Sequence, residues 1–193
     1  MEVGIFVSLG GIVFNMKKAS GLQKVMKSKG DDNLRTPARA VELLLNHVSE
    51  DQMFWEPCCG GNHIVDIINN KSTVLGTDIA DLEFPVDFLD KETRDRMIKT
   101  FGIEIIITNP PFSLKNKFIE ACIDTKLPFA LLLPTTALCT IARQKMFRDN
   151  GISILTLGGR TEFMNDKNGV WFETSWFTNG IFAPGTLNYE GIG

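Results

Sequence analysis

The chain has 193 residues, of which 44% are hydrophobic, 22% charged and 9% aromatic, with a formal net charge of −3. This length suits one domain and the apolar fraction suits a packed core, which excludes wholesale disorder. No run approaches the roughly 18 uninterrupted apolar residues of a membrane span, and four cysteines, two of them adjacent, do not make a disulfide framework in a chain this long.

In chain order, residues 1–15 are apolar but broken by Glu2, Ser8 and three glycines. The acid at position 2 stands where a secretory signal has its basic segment, and Met16-Lys17-Lys18 reads as an ordinary soluble start. A reduced, intracellular protein is expected, cytoplasmic or, in a eukaryote, nuclear. Residues 17–39 hold Lys17, Lys18, Lys24, Lys27, Lys29, Arg35 and Arg39 against Asp31 and Asp32, which leaves the rest of the chain at −8. Such a segment suits the docking of a polyanion and equally suits a solvated leader. Residues 1–30 are therefore expected to form a basic, flexible extension, and 31–193 a single domain.

Over 37–48 the residues Ala40, Val41, Leu44, Leu45 and Val48 have helix spacing, with Thr36 as N-cap and Pro37 at the first helical position. A short strand over 52–56 gives way to Gly60-Gly61, and 62–70 reads as a helix with Ile64, Ile67 and Ile68 inward. A strand over 72–77 ends at Asp78, and 91–101 is an amphipathic helix. The near-continuous β-branched run at 103–108 predicts a strand buried on both faces. Helices over 113–124 and 140–148 alternate with strands over 129–133 and 152–157, and a last strand spans 170–178. This alternation predicts a mainly parallel sheet with helices on both faces. The last two strands, joined by the turn-rich stretch 158–169, should form an antiparallel hairpin at the sheet edge. Ligands of such sheets bind beyond the carboxyl ends of the strands, so the residues there are the candidates for chemistry.

After the first core strand, Glu56-Pro57-Cys58-Cys59-Gly60-Gly61-Asn62 lets backbone approach a ligand and turn into a helix. It is neither a dinucleotide fingerprint nor a P-loop, and a plain tight turn reads as well. Asp78 suits a ribose diol, or a helix cap. Asp87-Phe88 suits an adenine amine and ring, or a turn. After the buried strand comes Asn109-Pro110-Pro111-Phe112. Two prolines stop the strand and stiffen the loop. Asn109 and the Pro110 carbonyl offer acceptors, and Phe112 offers a flat face, together a receptor for a planar heterocycle bearing an NH2 group. His47 and His63, without ligand partners at metal-site spacing, read as helix-surface or core residues, and no metal is expected.

These motifs resemble those of class I S-adenosylmethionine-dependent methyltransferases, most closely the small N6-adenine DNA methyltransferases. Asn109-Pro110-Pro111-Phe112 is similar to their catalytic (Asp/Asn/Ser)-Pro-Pro-(Tyr/Phe/Trp) motif. Glu56–Gly61 resembles their cofactor loop, E-P-x-x-G-x-G, except that the glycines are adjacent and Asn62 replaces the final one. Arg35-Thr36-Pro37 resembles the motif that cradles the methionine end. The resemblance spans about residues 36–178. It implies a Rossmann-like α/β fold with a mostly parallel seven-stranded sheet and an antiparallel C-terminal hairpin. It also implies S-adenosylmethionine as cofactor and a cofactor site of Thr36, Pro37, Glu56, Pro57, Cys58, Gly60, Asp78, Ile79, Asp87, Phe88 and Asn109. Asn109, Pro110, Pro111 and Phe112 would be catalytic, and Phe112, Lys115, Arg160 and Trp171 would meet the substrate. Residues 31–193 would then be one catalytic domain.

The implied reaction is methyl transfer to the N6 amine of a flipped-out adenine in double-stranded DNA. Asn109 and the Pro110 carbonyl would accept the two N–H groups and free the nitrogen lone pair, with positioning in place of a strong general base. The motif is shared with enzymes acting on RNA base amines and on a glutamine amide, and a non-catalytic subunit of this fold stays open as an alternative. Of Trp171, Phe172, Trp176 and Phe177, about two should be core, since strand faces alternate. The loop 158–169, with Arg160, Asn165 and Lys167, is a candidate nucleic-acid contact. Only fifteen residues follow Thr178, so sequence specificity would be short or come from a second copy or a partner subunit.

Overall fold

The computed structural model describes residues 36–158 and 173–190, and the strand backbone of 5–9, 12–16, 161–164 and 169–172. Two antiparallel pairs, β1 (Ile5–Leu9) with β2 (Ile12–Met16) and β8 (Thr161–Met164) with β9 (Gly169–Phe172), stand apart from the main sheet. That sheet has seven strands: β3 (Met53–Glu56), β4 (Thr73–Gly76), β5 (Ile105–Thr108), β6 (Phe129–Pro134), β7 (Ser153–Thr156), β10 (Thr174–Asn179) and β11 (Leu187–Tyr189). Their order is β11-β7-β10-β6-β5-β3-β4, parallel except for β10, which runs antiparallel to both neighbours. The helices are α1 (Ala38–Leu45), α2 (His63–Ile68), α3 (Lys91–Phe101), α4 (Lys115–Thr125) and α5 (Ile141–Asp149).

Strand alternation divides the core in two. Trp55, Ile106, Leu131, Leu133 and Phe177 pack on one side with Met97 of α3, Phe118 and Ile119 of α4 and Phe147 of α5. Phe54, Ile105, Ile107, Leu132 and Trp176 pack on the other with Val41 and Leu44 of α1 and Ile64 and Ile68 of α2. Both faces of the central strands are thus covered, and β5 is buried throughout, as a strand between two helical layers must be. The chain passes from β3 outward to β4 and returns across β3 to β5. The β3/β5 boundary is therefore the point where the winding reverses.

Several expectations are corrected. Pro37, not Thr36, is the N-cap of α1, and no side chain caps that helix. The strand expected over 170–178 is broken at Glu173: Gly169–Phe172 pairs with β8, and only Thr174–Asn179 enters the main sheet. The break falls where β6 ends, because Thr174 is already opposite Pro134. β10 pairs antiparallel with β7 as expected, but it lies inside the sheet between β6 and β7. The edge belongs to β11, three residues that the sequence did not announce, parallel to β7. The stretch 158–169 also contains β8. The expected extension 1–30 lies outside the described residues apart from the β1/β2 backbone. No helix among the described residues is long and apolar enough to cross a membrane.

Candidate active site at the carboxyl ends of β3, β4 and β5

Glu56 is the last residue of β3 and only 1% exposed. Its Oε1 accepts the Cys58 amide at 2.8 Å, which bends the chain into the following turn. Oε2 is buried with no hydrogen bond formed to it. Burial drives the carboxyl up to about 8, against the opposing pull of the Thr108 hydroxyl and the Cys58 and Asn109 backbone, with the Asp78 charge adding to the rise. Glu56 therefore keeps its proton at neutral pH.

The turn after it is closed by backbone. Cys59 N–H donates to Thr77 O at 2.9 Å, Thr77 N–H to Glu56 O at 2.9 Å, and Asn62 N–H to Cys59 O at 2.7 Å. Gly60 has φ 46, and Asn62, in place of the motif's last glycine, has φ 62. Asparagine is among the few residues that tolerate this region, so the departure keeps the backbone path. Gly76 is needed for a different reason: a Cβ there would stand 2.8 Å from Val65 Cγ2 and 3.4 Å from Cys59 Cβ. Pro57 is buried and Cys58 half-buried. Burial pushes the Cys58 thiol well up and Cys59 to about 12, so neither is a thiolate.

Asp78, half-buried beyond β4, accepts Gly60 N–H on Oδ2 at 3.0 Å and Ala80 N–H on Oδ1 at 2.7 Å. It thereby ties the β3 turn to the β4 loop. An isolated bridge pairs Asp78 with Pro85, and Ile79 is buried beneath. Asp87 Oδ1 accepts Leu89 N–H at 2.9 Å. Phe88 departs from expectation. It is 2% exposed, stacks on Phe118 at 5.5 Å, meets Trp55 edge-on at 5.1 Å and lies 5.6 Å under the Arg94 guanidinium. It is a core ring and offers no face to a planar ligand.

Asn109 follows buried Thr108, with Pro110 and Pro111 buried and Phe112 half-exposed at the start of a 3-10 turn, Phe112–Leu114. Asn109 Nδ2 donates to Thr36 Oγ1 at 3.1 Å, which brings the residue ahead of α1 to the end of β5. Lys115 Nζ donates to Phe112 O at 3.0 Å and so braces the loop. Trp176 and Phe177 are core, at 0% and 1% exposure. Arg160, and the side chains of Trp171 and Phe172, lie outside the described residues.

The structure thus gathers Thr36, Glu56, Cys58, Gly60, Asp78 and Asn109 at one sheet end and moves Phe88 into the core. Sequence reasoning missed Arg94 and the Thr36–Asn109 contact. Arg94 is 3% exposed, donates to Phe88 O at 3.0 Å and to Asp124 Oδ2 at 2.7 Å, and holds the 88–90 corner. A signal for it existed: Arg94, Met97, Ile98 and Phe101 share one helical stripe. A cleft of about 490 Å³ between α3 and α4, lined by Asp87, Arg94, Lys117 and Asp124 among others, excludes Glu56, Asp78 and Asn109.

The fold defined by this sheet is that of the Rossmann-like methyltransferases. A protein from Pyrococcus horikoshii, provisionally described as an RNA methyltransferase, superposes with a TM-score of 0.51 at 15% identity, over 84% of this chain and 96% of that one. A protein from Listeria monocytogenes, provisionally described as a class I S-adenosylmethionine-dependent methyltransferase, gives 0.51 at 15% identity, over 87% and 69%. The M protein of the type I restriction enzyme EcoKI gives 0.47 at 16%, over 87% and 48%. No protein-family model and no curated protein matches the sequence.

Proposed function

We propose that the protein transfers a methyl group from S-adenosylmethionine to the exocyclic N6 amine of adenine in DNA. The observation that carries this reading is Asn109-Pro110-Pro111-Phe112 at the carboxyl end of β5, at the winding reversal, beside the Glu56 and Asp78 loops.

The residues present suit that cofactor. The exposed Gly60 turn admits backbone close to a ligand. The Asp78 carboxylate accepts two amides and, with about four lone-pair sites, has capacity left for a ribose diol. The buried, unbonded Oε2 of Glu56 suits the ammonium of the methionine end, which would draw the carboxyl into its ionised form. Asp87 is the remaining candidate for the adenine amine; Phe88, buried as it is, would contribute packing from beneath only. The sulfonium supplies an electrophilic methyl group when the cofactor is bound.

Asn109 Oδ1 and the Pro110 carbonyl would accept the two N–H bonds of the target, which favours a tetrahedral nitrogen and frees its lone pair. Phe112 would stack on the extruded base. The excess proton leaves to water. A nucleic-acid substrate is supported by the basic first turns of α4 and α5, at the same end of the sheet. Lys117 is exposed there, and Arg143 links the two helices through Asn116 Oδ1 at 3.4 Å, while Lys145, further along α5, is paired with Asp149.

The test is transfer of labelled methyl from S-adenosylmethionine to unmethylated duplex DNA, total RNA and a protein extract in parallel. Asn109→Ala serves as control, and the product is identified by mass. N6-methyladenine from DNA, lost in the variant, is the expected result. Label in RNA or protein would replace the substrate, and no transfer with cofactor still bound would favour a non-catalytic subunit.

A further inference from the structure

We infer that the His63 imidazole is a cofactor-binding group that donates a hydrogen bond to the carboxylate of the methionine end; this rests on the cofactor reading above. The groups assigned so far leave that end half recognised. The buried carboxyl of Glu56 suits the ammonium, and the Asp78 carboxylate suits the ribose diol. Neither suits a carboxylate. That group hangs from the same carbon as the ammonium and needs a donor.

His63 is placed to supply one. It is the first residue of α2 and follows the Gly60 turn directly. Its ring folds back over that turn. A Cβ on Gly61 would stand 2.8 Å from Nε2, 3.4 Å from Cδ2 and 3.6 Å from Cε1. Gly60 and Asn62 take positive φ, and Gly61 does not. Glycine at 61 is therefore required by the ring above it, not by the backbone. The imidazole occupies the side-chain space that Gly61 leaves open on an exposed turn. Its floor is fixed, since Gly60 N–H donates to Asp78 Oδ2 at 3.0 Å and Asn62 N–H to Cys59 O at 2.7 Å. Its root is fixed too, because Ile64 and Ile68 anchor α2 in the core. The ring is half-buried, yet among the described residues neither of its nitrogens has a hydrogen-bond partner. Neither is sealed off from a ligand. A held imidazole with unspent polar atoms, lying on the turn beside the ribose and ammonium groups, is the donor that the carboxylate lacks.

The test is a binding cycle that needs no turnover. S-adenosylmethionine is compared with its decarboxylated form, which keeps the nucleoside, the sulfonium and the ammonium and lacks only the carboxylate. By calorimetry, His63→Ala should weaken S-adenosylmethionine about tenfold, the scale of one hydrogen bond to a charged group. The loss for the decarboxylated ligand should stay within about twofold. His63→Gln keeps a donor and should recover part of the loss. Gly61→Ala should reproduce the selective loss with His63 still present, because its Cβ displaces the ring. Thermal unfolding without ligand checks that each variant is folded. Should the variants fail to fold, the wild-type ring decides. The protein has only two histidines, and the His63 NMR signals should shift more with S-adenosylmethionine than with the decarboxylated ligand. Equal weakening of both ligands, or equal ring shifts, would mean that the imidazole only shapes the turn; the inference would fall and the cofactor reading would stand. Wild type that binds neither ligand would refute the cofactor reading itself, and the inference with it.

Discussion

Replacing Glu56 with Gln should stabilise the protein by about 3 kcal/mol at pH 7 and flatten its stability profile between pH 5 and 8. The folded carboxyl titrates at about 8 against 4.5 when unfolded. Between those values the folded state holds a proton that the unfolded state has lost. Stability is therefore complete below 4.5, falls as pH rises at about 1.4 kcal/mol per unit, and reaches its floor above 8. From 4.5 to 7 the wild type forfeits roughly 2.5 units of that slope, about 3 kcal/mol. Glutamine keeps the acceptor that receives the Cys58 amide and cannot ionise in either state. Urea unfolding of both proteins at half-unit steps of pH would show the wild-type midpoint falling and the variant midpoint level, the curves meeting near pH 4.5. In a domain of this size the gap at pH 7 corresponds to about 6–12 °C in Tm. Parallel profiles would mean that Glu56 is already ionised in the ligand-free fold, and the argument from its burial would fail. Lower cofactor affinity in the stabilised variant would identify the acid as a cost carried for function.

Asn109→Ala should abolish turnover and spare cofactor binding, whereas Asp78→Ala, which also frees the Gly60 and Ala80 amides, should raise the cofactor Kd first; equal weakening in both would undo this division of roles. Cofactor binding at pH 7 should release up to about 0.9 proton, because a group at about 8 is mostly protonated there. Calorimetry in buffers of different ionisation enthalpy measures the release, and Glu56→Gln should eliminate it. Lys117→Gln should reduce the slope of log affinity for duplex DNA against log salt by about 1, and an unchanged slope would move the nucleic acid to another face.

The parts legible from the sequence are those dictated by local periodicity. The 91–101 helix is found with the same bounds, since Asp90 caps it and Gly102 ends it. β5 and β6 are legible because strands buried on both faces must be apolar throughout, and the end of β5 then locates Asn109. What was not legible depends on distant partners. The run 169–178 has uniform strand propensity, and only the end of β6 opposite Thr174 says where it divides. β11 exists because β7 offers it an edge. Phe88 has the composition of a ligand platform, and its place in the core is decided by Phe118 and Arg94, 30 and 6 residues away.

Two buried tryptophans join the core to the two halves of the site. Each has one polar atom, and a buried indole N–H must find an acceptor. Trp55 donates to Thr77 Oγ1 at 2.9 Å, next to Asp78, and Trp176 donates to Ala40 O at 2.8 Å, in the first turn beyond Thr36. Both rings are 0% exposed, so packing fixes the rings, and each N–H transmits that rigidity to one segment. Trp55→Phe and Trp176→Phe should each cost about 1–3 kcal/mol, since each leaves a buried acceptor without its donor. Their functional consequences should differ. Loosening Thr77 displaces Asp78, so Trp55→Phe should weaken cofactor binding with little change in saturated turnover. Loosening α1 displaces Thr36, the hydrogen-bond partner of Asn109, so Trp176→Phe should lower kcat at saturating cofactor. Thermal unfolding, cofactor titration and saturated methyl transfer on the two variants make the comparison. Matching stability losses with opposite functional losses would place each indole as the support of one half-site. The same functional loss in both would mean that the core holds the two segments as one unit.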